Sequence, residues 1–233
     1  MSNRDSFQRF AAVTAIISFV CTLGSTLLQG IPERFSSAVF TDPALMLGMK
    51  AQEAQMLRWG LILDVFGYYL LLLPAALFLQ HWLGPKNRGW VRFFTICGVG
   101  YIFIGGAGAA ILAAAEPALI KAYAQALAGP QNALETVFVS VWEMVYGGMW
   151  NILGELLAGI WLVGIGWELS RERRLLGYFG MVVGVAALLD SLGTMLGVDA
   201  LASTGLLLFV GLAPIWALWL GIDLLRRPVG AEE

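Results

Sequence analysis

Six stretches of the chain, residues 11–28, 57–83, 90–115, 137–169, 175–196 and 201–225, are predominantly apolar around the whole helix, with most charged residues in the intervals between them. Each is long enough to cross the roughly 30 Å hydrocarbon core as a helix rising about 1.5 Å per residue. Continuous apolarity marks helices set in lipid or buried among others, since a surface helix would alternate. Runs of this length also exclude a β-barrel, whose strands alternate over about ten residues. The pattern therefore predicts an all-α, polytopic membrane protein, a bundle of six transmembrane helices in a single membrane domain.

The intervals differ in kind. GPKNRG (84–89) and SRERR (170–174) are tight turns, which makes helices two and three, and four and five, antiparallel neighbours. Residues 29–56 form a long connection in which Asp42-Pro43 reads as a helix start, with proline at the first helical position. Residues 116–136 hold PALIKAYAQAL, read as a second short helix closed by Gly129-Pro130. Both connections are expected to cap one end of the bundle.

Basic residues set the expected orientation. One side collects Arg4, Arg9, Lys86, Arg88, Arg92, Arg171, Arg173, Arg174, Arg226 and Arg227, and the other only Arg34, Lys50, Arg58 and Lys121. The positive-inside rule then places both termini in the cytoplasm. Arg4 and Arg9 before residues 11–28 look superficially like a signal peptide, but LLQGIPERF offers no small-x-small cleavage site, so the segment is read as an uncleaved first helix.

Composition agrees with lipid as the solvent: 59% of residues are hydrophobic, 13% are charged and the mean hydropathy is +0.77. The net charge of −2 and the scattered basic residues give no nucleic-acid patch. Cys21 and Cys97 lie within apolar runs and form no disulfide framework or metal motif. His81 is the only histidine, which removes His-paired haem and multi-histidine zinc sites from this chain alone. GxSxG and HExxH are absent, and no catalytic residue or cofactor is assigned.

Against this background the polar residues inside the apolar runs carry the candidate chemistry. Asp64, Glu143 and Asp190, on helices two, four and five, all fall in the half of the membrane away from the termini. Asn151 and Glu155, four residues apart, share one face of helix four, with Glu143 about 80° away at 100° per residue. No Lys or Arg within the apolar cores neutralises them. Each carboxylate must be protonated, hydrated, hydrogen-bonded or paired with something from outside. Tyr68, Tyr69, Tyr101, Tyr146 and Trp150 are available partners. A protonated interhelical clamp is the structural alternative, and a carboxylate-only site for a hard cation is a third. Glu168 and Asp223, one turn from helix ends and beside Arg171 and Arg226, read as interfacial charges with local salt bridges. Gly105, Gly106 and Gly108, among alanines, form a small-residue face for helix packing.

Helices four and six also look alike. LAGIWLVGIGWELSR (157–171) aligns without gaps to LAPIWALWLGIDLLR (212–226), matching Trp161 with Trp216, Gly166 with Gly221 and Glu168 with Asp223. Both run in the same direction, so the repetition is parallel rather than inverted. Glu155 aligns with Val210, so the acid sets helix four apart from its copy.

From Asn151 to Gly193, in IWALWLGIDLLRRP, and in the Asp-Pro of the long first connection, the chain resembles a bacterial family of six-helix integral membrane proteins catalogued as a domain of unknown function. The resemblance implies a six-helix fold and carries over no catalytic role. The expected function is a non-enzymatic binding or transport protein with an outward-facing acidic cavity for a proton, a cation or a cationic amphiphile. Asp64, Glu143, Glu155 and Asp190 would supply charge, Asn151 a neutral donor and acceptor, and Tyr146 and Trp150 a wall. The alternative is an accessory or structural subunit, packed against lipid, a second copy or another membrane protein.

Overall fold

A computed structural model describes residues 3–226 except 35, 37 and 86. Among the described residues every regular element is helical, and six helices are long and apolar enough to cross a membrane. The first is α1 (Asn3–Gly30), followed by a short α2 (Ala38–Thr41) and a 3-10 turn (Pro43–Gly48). The second span is composite: α3 (Ala51–Asp64), a π-helical segment (Val65–Tyr69), a 3-10 turn (Leu70–Leu72) and α4 (Leu73–Leu83). α5 (Arg88–Gln125) is the third. The fourth combines α6 (Ala128–Trp142), a π-helical segment (Glu143–Gly154) and α7 (Glu155–Ser170). α8 (Arg174–Leu196) and α9 (Asp199–Arg226) complete the set.

Consecutive spans pack side by side, and α9 returns to α1, so the six form a closed ring. An even number of crossings brings both chain ends to one end of the ring. There the Gln8 side chain donates to the Leu224 carbonyl at 2.8 Å. The same end is tied by charges. Arg173 bridges to Asp223 at 3.1 Å and lies over the Trp82 ring. Glu168 accepts from Asn87 at 2.8 Å and pairs with Arg171. Glu168 thus keeps the local pairing its position predicts, whereas Asp223 pairs with a residue of the preceding turn. Lys86 and Arg227 of the basic clusters lie outside the described residues.

Two connections depart from expectation. PALIKAYAQAL is no separate helix: α5 runs through Pro117 to Gln125 and is about 57 Å long. Pro117 removes one ladder bond, and the strong helix formers after it, with Ile120 buried against Leu47 and Phe138, carry the helix past that loss. Gly129-Pro130 therefore closes nothing. Pro130 sits in the first turn of α6, where its missing N–H would have had no helical partner. Asp42-Pro43 does start a helix, as a 3-10 turn whose Met46 and Leu47 pack with α3, α5 and α6 in a second core at the end away from the termini. The second span begins at Ala51, six residues earlier than its apolar run, because Glu53 caps the Lys50 backbone N–H at 2.7 Å.

The main core lies in the half nearer the termini, around Phe78, Trp161, Ile165 and Trp216. The paired tryptophans of the sequence repeat meet edge to face there, their centroids 6.1 Å apart. The matched glycines do equivalent work against different neighbours. A Cβ on Gly166 would lie 2.7 Å from the Gly177 carbonyl of α8, and one on Gly221 would lie 2.7 Å from the Ala12 carbonyl of α1. Gly197, left-handed at φ 67°, ends α8 and turns the chain directly into α9. Gly205 then seats α9 against the backbone of Asp190.

That contact predicts the cost of a side chain there. Gly205→Val should lower stability by about 1–3 kcal/mol through overpacking, read as a lower thermal unfolding midpoint in detergent. Gly211→Ala, on the same helix but with open space beside it, should leave the midpoint nearly unchanged.

Candidate functional site: an acidic, aromatic-walled cavity

The cavity exists because two spans abandon α-helical geometry in the half of the ring away from the termini. Residues 65–69 and 143–154 wind as π-helices, whose wider turn brings residues five apart into register. Trp142, Tyr146, Trp150, Asn151 and Glu155 thereby all face inward. Trp142 stacks on Tyr146 at 4.8 Å, and Tyr146 meets Trp150 edge-on at 5.5 Å. The small-residue face of α5 receives these rings rather than another helix. Tyr69 lies flat on Gly105, and Trp150 Nε1 donates to the Gly105 carbonyl at 3.0 Å beside Gly108.

Hydrocarbon cannot solvate a backbone carbonyl, and at these irregular places hydroxyls of neighbouring spans donate to carbonyls. Ser18 donates to the Gly67 carbonyl at 2.5 Å, and Ser191 to that of Ile152 at 2.8 Å. Pro214, inside α9, has no N–H for the Val210 carbonyl, and the Tyr68 hydroxyl supplies one at 2.9 Å.

The resulting cavity has a volume of about 970 Å³, within the range of small-molecule sites. Five acids line it: Glu33, Asp64, Glu116, Glu155 and Asp199. No Lys, Arg or His is among its described lining residues. Asp64 accepts from Ser25 at 2.9 Å, and Ser25 in turn accepts from Gln29 at 2.7 Å. Glu116 is 2% exposed and neither of its carboxylate oxygens has a hydrogen-bond partner; Glu155, 6% exposed, has one oxygen without a partner. Glu33 lies in the turn after α1, outside the spans, where burial raises its carboxyl from 4.5 to about 7.

Of the residues singled out from sequence, Asp64, Tyr146, Trp150, Asn151 and Glu155 converge on this cavity. Two do not. Glu143 lies on the outer, exposed side of its π-helical segment, its carboxylate alongside Gly147. The 100° wheel already sets it about 80° from Asn151, off the shared face. Asp190 is fully buried behind the wall, in the α8–α9 contact, accepting weakly from Thr194 at 3.4 Å. The fifth span contributes nothing to the lining, so its acid has no access to the space the other helices enclose. Among the described residues no three His, Cys, Asp or Glu side chains gather to hold a metal, so the four acids read from sequence do not form one carboxylate site.

Glu33, Glu116, Ser25 and Gln29 escaped the sequence reading. For α1 a signal was present. Thr14, Ser18, Thr22, Ser25 and Gln29 recur every three or four residues as a polar stripe, six residues after Gln8, and all but the partly buried Gln29 are buried. Glu116 sits one residue past an apolar run and just before a proline, where it reads as a loop residue.

Fold and site together define a multi-pass helical membrane protein with an acidic cavity opening away from its termini. The chain belongs to the family described as a domain of unknown function, DUF4386, which it matches over residues 10–227. No curated protein and no solved structure matches it.

Two outcomes follow from the geometry. Tyr68→Phe should cost roughly 0.6–2 kcal/mol, and the loss should shrink in a Pro214→Ala background, where a backbone N–H can return to Val210; a double-mutant cycle on unfolding midpoints measures the coupling. For Glu33, the folded chain holds a proton between pH 4.5 and about 7 that the unfolded chain has lost. Its contribution to stability is therefore full below that window, falls as pH rises through it and is constant above. Compared with Glu33→Gln, the native chain should show an additional fall in unfolding midpoint across that range.

Proposed function

We propose that this protein is a non-enzymatic membrane binding or transport protein whose cavity takes a cation in competition with protons. The observation that carries the reading is the pairing of five cavity-lining acids with no basic residue among the described residues of the same wall. A carboxylate removed from water needs a counter-charge or a proton. Glu116 and Glu155 retain oxygens that no described group satisfies, so the chain leaves room for a positive ligand. Tyr68, Tyr69, Tyr101, Trp142, Tyr146 and Trp150 line the same space and offer π faces to an organic cation. Glu155, about a helix turn deeper than Trp150, is the innermost acid on the fourth span and the one with an aromatic approach.

Orientation follows from charge. Arg9, Arg88, Arg92, Arg171, Arg173, Arg174 and Arg226 stand at the end of the ring that holds the termini, while Arg34, Lys50, Arg58 and Lys121 stand at the cavity end. Positive-inside asymmetry places the termini in the cytoplasm and turns the cavity outward, across a bacterial plasma membrane. A reporter fused to the C-terminus that is active only in the cytoplasm should be active; activity of a reporter specific for the opposite side would reverse this topology.

The binding claim is tested with tetraethylammonium and calorimetry on the purified chain. Affinity should fall as pH is lowered, since protons compete for the same carboxylates. Glu155→Gln should weaken binding at least tenfold, about 1.4 kcal/mol, with the unfolding midpoint retained. Absence of binding by the native chain, or equal binding by the variant, would overturn the reading.

A further inference from the structure

We propose, resting on the cation reading above, that the cavity also opens sideways into the bilayer between α1 and α9, and that its ligand is a single-chain amphiphile with an ammonium head.

The first observation concerns how α1 and α9 meet. Their close contacts lie in the half that holds the termini, where Gly221 admits Ala12 and Ile16 and where Gln8 bonds Leu224. In the other half α1 instead turns Ser25, Thr26 and Gln29 toward the cavity, and α9 does the same with Ser203, Leu207 and Val210. α9 packs chiefly on α8 and α1, so no other span closes the gap from outside.

The second observation is exposure at depth. Thr26 on one lip and Ser203, Leu207 and Val210 on the other both line the cavity and are exposed. Leu207 is 76% exposed although it stands about 12 Å along α9 from Asp199, well inside the hydrocarbon. Val210 is about 16 Å along. A side chain facing only an end-open vestibule would keep its other sides against neighbouring helices, and 76% exposure leaves Leu207 without that backing. The slot ends where the Tyr68 hydroxyl crosses to the Val210 carbonyl, which closes the gap at its floor.

The third observation is chemical. A small inorganic cation is held by several converging ligands, and among the described residues no three His, Cys, Asp or Glu side chains gather to supply them. The space of about 970 Å³ far exceeds a bare ion. Beyond Asp199 and Ser203 at the mouth, the α9 wall is Leu206, Leu207, Phe209 and Val210, a surface for methylenes, while Asp64, Glu116, Glu155 and the tyrosine and tryptophan rings lie across from it on spans two, three and four. A charged head among rings and carboxylates, with a chain in the slot, satisfies both walls at once. No covalent step is involved.

The test uses the full chain in lipid nanodiscs and a dodecyltrimethylammonium carrying a photoreactive diazirine midway along its chain. Labelling should map to α1 near Thr26 and to α9 between Ser203 and Val210. Excess dodecyltrimethylammonium should suppress it, while an uncharged dodecyl polyoxyethylene ether should not. Leu207→Trp, which fills the slot, should cut labelling at least tenfold while leaving the unfolding midpoint unchanged. Labels confined to residues near Glu33 and Asp199 would mean that the chain leaves through the end, and would overturn the lateral opening. Equal suppression by the uncharged ether would overturn the ammonium head. These failures are separable from failure of the cation reading, which is decided by tetraethylammonium binding alone.

Discussion

The structure depends on one constraint, that a backbone carbonyl facing hydrocarbon must find a donor within the protein. An unbroken α-helix meets it automatically, and a ring of unbroken helices would close on a dry core. Besides Pro117 in α5, this chain departs from the regular α-helical ladder twice by π-helical winding and once with Pro214, and at each of these three places a hydroxyl donates to a backbone carbonyl. Ser18, Ser191 and Tyr68 come from the first, fifth and second spans. Each bond therefore also fixes the rotation of one helix against another. Widened turns without those hydroxyls would leave unsatisfied groups costing several kcal/mol each in lipid.

Satisfying the breaks in this way separates the ring into two halves. Toward the termini the spans approach through glycines and fill the interior with Trp161, Trp216, Phe78 and Ile165. Toward the other end the same spans diverge around rings that stand on glycine rather than on each other. Gly105 and Gly108 illustrate the exchange, since the small-residue face that would let two backbones touch is occupied by Tyr69 and Trp150. The floor of the cavity is thus the ceiling of the core, shared at Tyr101 and Phe209, whose rings meet edge to face at 6.1 Å.

The spans and their order were readable because lipid imposes a coarse, long-wavelength pattern on sequence. Residues 175–196 and 201–225 match α8 and α9 within two residues at each end. Interiors were harder for a specific reason. Glu143 is grouped with the cavity acids by its depth, although the 100° wheel sets it about 80° from Asn151, and in the fold it stands on the exposed side of its segment. Asp190 was misplaced for the same reason. Depth along the membrane was correctly matched to Asp64, but depth says nothing about which side of a helix faces the interior. The stripe from Thr14 to Gln29 on α1 held that kind of information, because it repeats at helical period in an otherwise apolar span.

The acids gain their meaning from what surrounds them. At the sealed end Glu168 and Asp223 have Arg171, Asn87 and Arg173, and the charges cancel within the chain. At the open end Asp64 has the Ser25 hydroxyl but no cation, and Glu116 has neither. The two ends face equivalent dielectric costs, yet only one is neutralised by the chain's own residues. Tyrosine and tryptophan on the same wall add negative ring faces, which lowers the electrostatic potential further instead of relieving it. An interior built only to hold helices together would gain by replacing Glu116 and Glu155 with apolar residues of similar size. Their presence, together with space beside them and no basic neighbour, is the arrangement expected when the balancing charge arrives from outside.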